Sequence, residues 1–154
     1  MFVLIPSFYH ADMGKIIDIY AQSQEKDRIG SVAKISDFLL DFYEENCDAF
    51  CAMWQEGDVA ASVLRIQSYE DGVLLTGVET RPEYRGKGFA AALVAETLAV
   101  LRQQGVHKVY SHVAQRNVPS QKLHKKCGFY KLQDTARLLD GTVTSQMDTL
   151  CIEI

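Results

Sequence analysis

Between Leu74 and Arg102 the chain passes from an extended apolar run through a glycine-broken basic turn into a helical run, and a second extended run, Val106 to Val113, follows at once. Strand, helix and strand in such close succession fit one arrangement, a right-handed crossover that lays the two strands parallel in one sheet. The turn itself, Arg85-Gly86-Lys87-Gly88-Phe89-Ala90, carries the chemistry. A chain that breaks at glycines and then opens a helix leaves backbone N–H groups unpaired and aimed outward, with the positive end of the helix dipole behind them. Gly86 and Gly88 let backbone approach an anion closely, and Arg85 and Lys87 add countercharge. The spacing is neither a dinucleotide fingerprint nor a P-loop.

Other elements are set by periodicity. Phe2 to Ile5 reads as a short strand ended by Pro6, and Met13, Ile16, Ile17 and Tyr20 mark one face of a first helix. A polar turn through Asp27 to Gly30 and an N-cap at Ser31 introduce a second helix bearing Val32, Ile35, Leu39 and Phe42. Strands Ala49–Trp54 and Val59–Ile66 flank the turn Glu56-Gly57-Asp58, and Glu70-Asp71-Gly72 leads into the strand that ends at Thr80. Asn117 opens a short helix, Ser120 to Lys126, and Asp140-Gly141 closes a final hairpin of roughly 130–139 with 144–153. The order predicts a mixed α/β fold, a largely antiparallel central sheet flanked by helices, as one domain over residues 1–154.

The stretch 74–130 resembles the GNAT superfamily of acyl-CoA-dependent N-acyltransferases. Its signature [RQ]-x-x-G-x-[GA] is matched by Arg85, Gly88 and Ala90, after a Pro82-Glu83-Tyr84 of a kind frequent in the family. A later pattern, N-x-x-[AS]-x-x-L-Y-x-x-x-G-F, is matched by Asn117, Ser120, Leu123, Gly128 and Phe129, with His124 in place of the tyrosine. The resemblance implies that two central parallel strands splay and that acetyl-CoA lies in the gap. It implies backbone contacts from Val78 and Thr80, a diphosphate on Arg85, Gly86, Lys87, Gly88, Phe89 and Ala90, and Asn117 against the pantetheine arm with Ser120 one turn further on.

Acyl transfer to an amine needs a deprotonated acceptor, donors to the carbonyl oxygen and a leaving thiolate. His124 stands where the family's tyrosine gives that thiolate a proton. It either does so or is a packed side chain, since Ser120, Leu123, His124 and Cys127 share one helical face. His112, near the end of a strand flanking the gap, is either a base for the ammonium or a strand-end residue without a role. Glu79 is a base, an ammonium anchor, or a carboxylate paired with Arg81 or Arg116. Phe38, Phe42, Tyr43 and Trp54 read first as core, and Glu44, Glu45 and Asp48 as a solvated helix end.

The activity expected is N-acetyl transfer from acetyl-CoA to a primary amine of a small molecule or peptide, by direct attack in a ternary complex. The alternative is a non-catalytic acyl-CoA-binding sensor or partner module of the same fold; a donor longer than acetyl is a third reading. Charge is distributed to match: residues 1–58 hold eleven Asp and Glu against four Lys and Arg, and residues 59–154 nine against twelve. A basic part suits an anionic cofactor and an acidic part a cationic amine. A net charge of −4 disfavours nucleic acid as partner. No apolar run is long enough to span a membrane, and Phe2 to Ile5 is too short for a signal sequence. Cys47, Cys51, Cys127 and Cys151 read as free thiols of a cytoplasmic protein, with no metal-ligand spacing; Cys47 and Cys51 fit one helical face. The final hairpin offers an edge strand to a second copy in a homodimer.

Overall fold

A computed structural model describes residues 1–23 and 28–154. The elements are β1 (Phe2–Ile5), α1 (Met13–Gln22), α2 (Arg28–Glu45), β2 (Phe50–Glu56), β3 (Val59–Tyr69), β4 (Gly72–Thr80), α3 (Phe89–Gln103), β5 (Lys108–Ala114), α4 (Val118–Lys126), β6 (Tyr130–Gln133), β7 (Ala136–Arg137), β8 (Val143–Thr144) and β9 (Met147–Glu153). A single 3₁₀ turn, Pro82–Tyr84, separates β4 from the glycine-rich segment. Seven strands form one sheet in the order β1-β2-β3-β4-β5-β9-β6. Every neighbouring pair is antiparallel except β4–β5. This is the mixed, largely antiparallel α/β fold that the sequence predicts.

Strand alternation sends two sets of side chains to opposite faces, and a helix layer covers each. Leu64, Ile66, Leu75 and Val109 meet Leu93, Val94, Leu98 and Leu101 of α3 in the larger core, which Phe129 after α4 completes. Cys51, Met53, Ala60 and Val63 face Ile16, Ile19 and Tyr20 of α1 and Leu39 and Phe42 of α2. Burying each such aliphatic side chain contributes about 1.5–3 kcal/mol, so the sheet centre is the rigid part of the molecule.

The middle of the sheet departs from regularity on both sides of β4. The parallel ladder between β4 and β5 consists of Val73 with Val109 and Leu74 with Tyr110, although β4 continues to Thr80 and β5 to Ala114. The strands diverge beyond it. On its other side β4 carries a bulge: Arg65 of β3 lies opposite Thr76 while Val63 lies opposite Glu79, one residue more on β4 than on β3. Gly77 takes up the extra residue at φ +63°, left-handed backbone that favours glycine.

Three expectations are corrected. Ser31 is not an N-cap: α2 is already helical from Arg28, and Ser31 sits buried within it. Gly30 costs a helix only about 1 kcal/mol and does not end it; Asp27 lies outside the described residues. The last hairpin is not continuous. β6 pairs with β9, but the chain then leaves the sheet, and β7 and β8 pair separately across a turn where Leu138 N–H donates to the Thr142 carbonyl. A bulge between Lys131 and Gln133 breaks the register, and fully buried Ala136 follows as the chain turns off the edge. Cys47 and Cys51 do not share a helical face, because Cys51 is a buried residue of β2 and Cys47 is exposed after α2.

Candidate active site

A cleft of about 540 Å³ opens where β4 and β5 part. Its floor is the free edge of β4. Arg81 N–H donates to the Ala61 carbonyl on β3, so alternation turns the N–H groups of residues 78 and 80 the other way, toward the gap. The Thr80 carbonyl faces the gap as well and accepts from Arg85 Nε at 3.3 Å.

One end of the cleft is the start of α3. Gly88 is its N-cap residue at φ +82°, and neither a side-chain cap nor an acidic residue stands in the first turn. The earliest backbone bond within the helix is Ala92 N–H to the Gly88 carbonyl, so the preceding N–H groups point into the cleft unspent. Gly86 is also left-handed, at φ +75°. A Cβ on either glycine would meet nothing within 4 Å, so it is conformation, not space, that calls for glycine there. Phe89 anchors the turn, stacked on Trp54 with ring centroids 6.2 Å apart and tilted against Tyr84 at 5.8 Å.

The opposite wall is α4. Asn117 Oδ1 accepts from Ser120 N–H at 3.2 Å and caps the helix that the sequence has it open, and Ser120 and Leu123 face the cleft. All the residues expected to hold the cofactor line this cleft except Lys87, whose Nζ lies 5.4 Å from the Tyr84 ring centre. Sequence reasoning missed Lys126 as a lining residue; its place in the basic last turn of α4 was the available signal.

The three candidates for proton chemistry are placed differently. Glu79 lines this cleft and also a second one, of about 610 Å³, bounded by Gln22, Ser23 and Arg81. Its bond to Arg81 does not form. Arg81, 4% exposed, instead donates to Asp18 at 2.5 Å, Gln22 Oε1 at 2.6 Å and the Ala60 carbonyl at 2.7 Å, tying the end of β4 to α1. Among the described residues Glu79 has no ion-pair partner. The bulge precedes Val78, so alternation holds and Glu79 points to the face opposite Val78 and Thr80.

His112 lies on that same face and lines neither cleft, its ring edge-on to Tyr69 at 5.3 Å and its Nε2 buried without a partner. Burial holds its pKa below the ordinary imidazole value, which keeps the ring neutral. His124 is buried and lines neither cleft. Its Nδ1–H donates to the Ser120 carbonyl at 2.8 Å, which leaves Nε2 to accept from the Ser111 hydroxyl at 2.8 Å. Both ring nitrogens are engaged and the ring packs edge-on against Phe129 at 5.1 Å. Burial depresses its pKa, against a smaller opposing effect of the Ser120 carbonyl.

Both depressed histidines give a stability signature. Unfolding lets each take up a proton that the folded state refuses, so stability is full above the ordinary imidazole pKa of about 6.5 and falls as pH drops through and below it. The melting temperature is expected to decline between pH 7.5 and 5.5, and His124→Phe to flatten that decline whatever it does to the absolute value. An unchanged slope in the variant refutes the neutral, buried assignment.

Residues 14–129 match the acetyltransferase (GNAT) family model. No curated protein sequence matches the chain. Solved structures of the same fold include an IAA acetyltransferase from Bacillus cereus ATCC 14579, at 13% identity and TM-score 0.69, covering 100% of this chain and 99% of that one. The PaiA N-acetyltransferase from Thermoplasma acidophilum, in complex with coenzyme A, is 12% identical with TM-score 0.71, covering 100% and 99%. A spermidine N-acetyltransferase from Vibrio cholerae, in complex with CoA and spermine, is 16% identical with TM-score 0.68, covering 99% and 95%.

Proposed function

The chain belongs to the acetyltransferase (GNAT) family, and from that premise we propose that it transfers an acetyl group from acetyl-CoA to a primary amine by direct attack in a ternary complex. The observation that carries this reading is the meeting, in one cleft, of an unladdered β4 edge with an uncapped helix N-terminus. The first suits an extended chain bearing amides, which adds to the sheet as a strand does; the second suits a diphosphate. Acetyl-CoA supplies a thioester carbonyl open to an amine and a thiol with a pKa near 8.5, so the departing sulfur needs no strong acid. That relieves His124 of the tyrosine's task, and its two hydrogen bonds make it a brace between α4 and β5.

In this reading the N–H groups of Val78 and Thr80 orient the donor and polarise its carbonyl. Glu79 stands where the two clefts meet and holds the acceptor's ammonium, which reaches it through the second cleft. His112, neutral and with Nε2 unpartnered, takes the proton directly or through a water. No free thiol lines either cleft; Cys51 is moreover buried with its pKa pushed up to about 11, and burial raises Cys127.

Initial-rate kinetics with acetyl-CoA and an amine panel test the proposal. Intersecting double-reciprocal lines are expected, and Glu79→Gln is expected to raise the amine KM by about tenfold or more, the worth of one charged contact. Parallel lines exclude a ternary complex. Tight acetyl-CoA binding with no turnover of any amine supports the binding-module reading instead.

A further inference from the structure

Among the described residues only two buried side-chain nitrogens or oxygens have no hydrogen-bond partner, Arg65 Nε and His112 Nε2. Strand alternation puts them on one face of the sheet. Arg65 on β3 lies opposite Thr76 of β4, and His112 lies on β5 two residues past Tyr110, the last residue of that strand laddered to β4. Glu79 stands on the same face just beyond the bulge, opposite Val63.

Arg65 is held by aromatic rings rather than by an ion pair among the described residues, and it lies beside the bulge, outside the lining of both clefts. Its guanidinium lies 4.9 Å from the Phe38 ring centre, 5.0 Å from Tyr20 and 5.8 Å from Phe42, a cage of three aromatic rings that fixes the fork in place. It reaches across to β4, where a Cβ on Gly77 would stand 2.3 Å from Arg65 Nη1. Neither Arg65 nor Glu79 forms a salt bridge among the described residues, although both flank the same bulge. Two opposite charges on one sheet face, close in register and not neutralising each other, match a ligand that carries both signs.

We propose that the acceptor is an amine with a carboxylate beside it, an amino-acid-like zwitterion whose carboxylate Arg65 holds while Glu79 faces its ammonium. The inference rests on the acetyl-transfer reading and deepens it by naming the substrate class. A fixed guanidinium fork matches a carboxylate in shape and in its single charge. A phosphate dianion asks for more countercharge than one arginine supplies, in a face built largely from the acidic first part of the chain.

The test is acetyl transfer from acetyl-CoA to matched acceptors: standard L-amino acids, their α-amides, the corresponding decarboxylated amines, and O-phosphoethanolamine. At least one amino acid is expected to exceed its own amide and decarboxylated amine in kcat/KM by about tenfold or more. Arg65→Gln is expected to bring that ratio near one through KM, and Arg65→Lys to retain part of it. Because the wild-type ratio is measured without any variant, poor folding of an Arg65 variant does not shield the proposal. Amides or decarboxylated amines turned over as well as the acids overturn it and leave acetyl transfer standing, as does a preference for O-phosphoethanolamine. Turnover of none of these amines, in protein that binds acetyl-CoA, overturns both.

Discussion

Gly77→Ala is expected to lower the melting temperature by roughly 5–15 °C and acetyl transfer by about 100-fold or more. Two costs add. An alanine at φ +63° pays about 1–2 kcal/mol for left-handed backbone. Its Cβ would also lie 2.3 Å from Arg65 Nη1 and 2.8 Å from the Tyr20 hydroxyl, which donates to the Gly77 carbonyl at 2.6 Å. The guanidinium would have to leave its aromatic cage, losing contacts worth about 1–2 kcal/mol. The loss of activity comes from geometry, since the bulge sets the direction in which Val78 and Thr80 present their N–H groups. Gly57→Ala is the control. At φ +58° in the β2–β3 turn, with nothing within 4 Å of the added carbon, it carries the backbone cost alone and leaves activity unchanged. Thermal melts and initial rates decide it; equal losses in the two variants mean that the contact with Arg65 costs nothing. Arg65→Ala combined with Gly77→Ala should be less destabilised than the sum of the single variants, because the collision is then absent.

Gly77 also marks what can be read from the residues and what cannot. Elements with a strong period or a sharp break were legible: α1 from Met13, Ile16 and Tyr20, the β2–β3 turn from Gly57, and the strand–turn–helix unit from its glycines. The glycine-rich end of the cleft between β4 and β5 was legible too, because backbone geometry that needs glycine leaves a mark in the sequence, while Val78, Thr80, Asn117 and Ser120 were expected there only through the family likeness. The ladder that stops after Leu74 was expected only through a family likeness, since no local pattern encodes where two strands diverge. Side-chain partners were not legible at all. Arg81 was a candidate for Glu79 by proximity in sequence, yet it is bound to Asp18 and Gln22, far away in the chain and brought close by α1. Arg65 drew no attention, as a single arginine in an apolar strand; only the cross-strand register and the approach of α2 show it flanking the same bulge as Glu79. His124 stands in place of the motif's tyrosine, but its burial and its bond to Ser111 of β5 were not legible there.

Ala91→Glu is expected to move affinity and stability in opposite directions. Residue 91 is third in α3 and lines the cleft at the end where N–H groups are unspent. A carboxylate there complements the helix dipole and should leave the melting temperature unchanged or slightly higher, by an amount equivalent to about 0.3–1 kcal/mol. The same charge would face the diphosphate of acetyl-CoA. At roughly 6 Å and an effective dielectric constant of about 20–40, each pair of like charges costs about 1–3 kcal/mol, enough to weaken binding by about 100-fold. Salt should recover part of that loss, because the cleft is open to solvent and the Debye length falls from about 10 Å at 0.1 M to about 3 Å at 1 M. Ala91→Gln, nearly the same size and uncharged, should stay within about threefold of the parent affinity. Calorimetric titration with acetyl-CoA, beside thermal melts, reads both effects. A glutamate variant that binds acetyl-CoA as the parent does would put the phosphates elsewhere, whatever the glycines suggest. A loss in the glutamine variant as large as in the glutamate one would assign the effect to crowding. Only the combination of weakened, salt-sensitive binding with an undiminished melting temperature identifies the start of α3 as the place where the anion sits, since no damage to the fold produces that pair of signs.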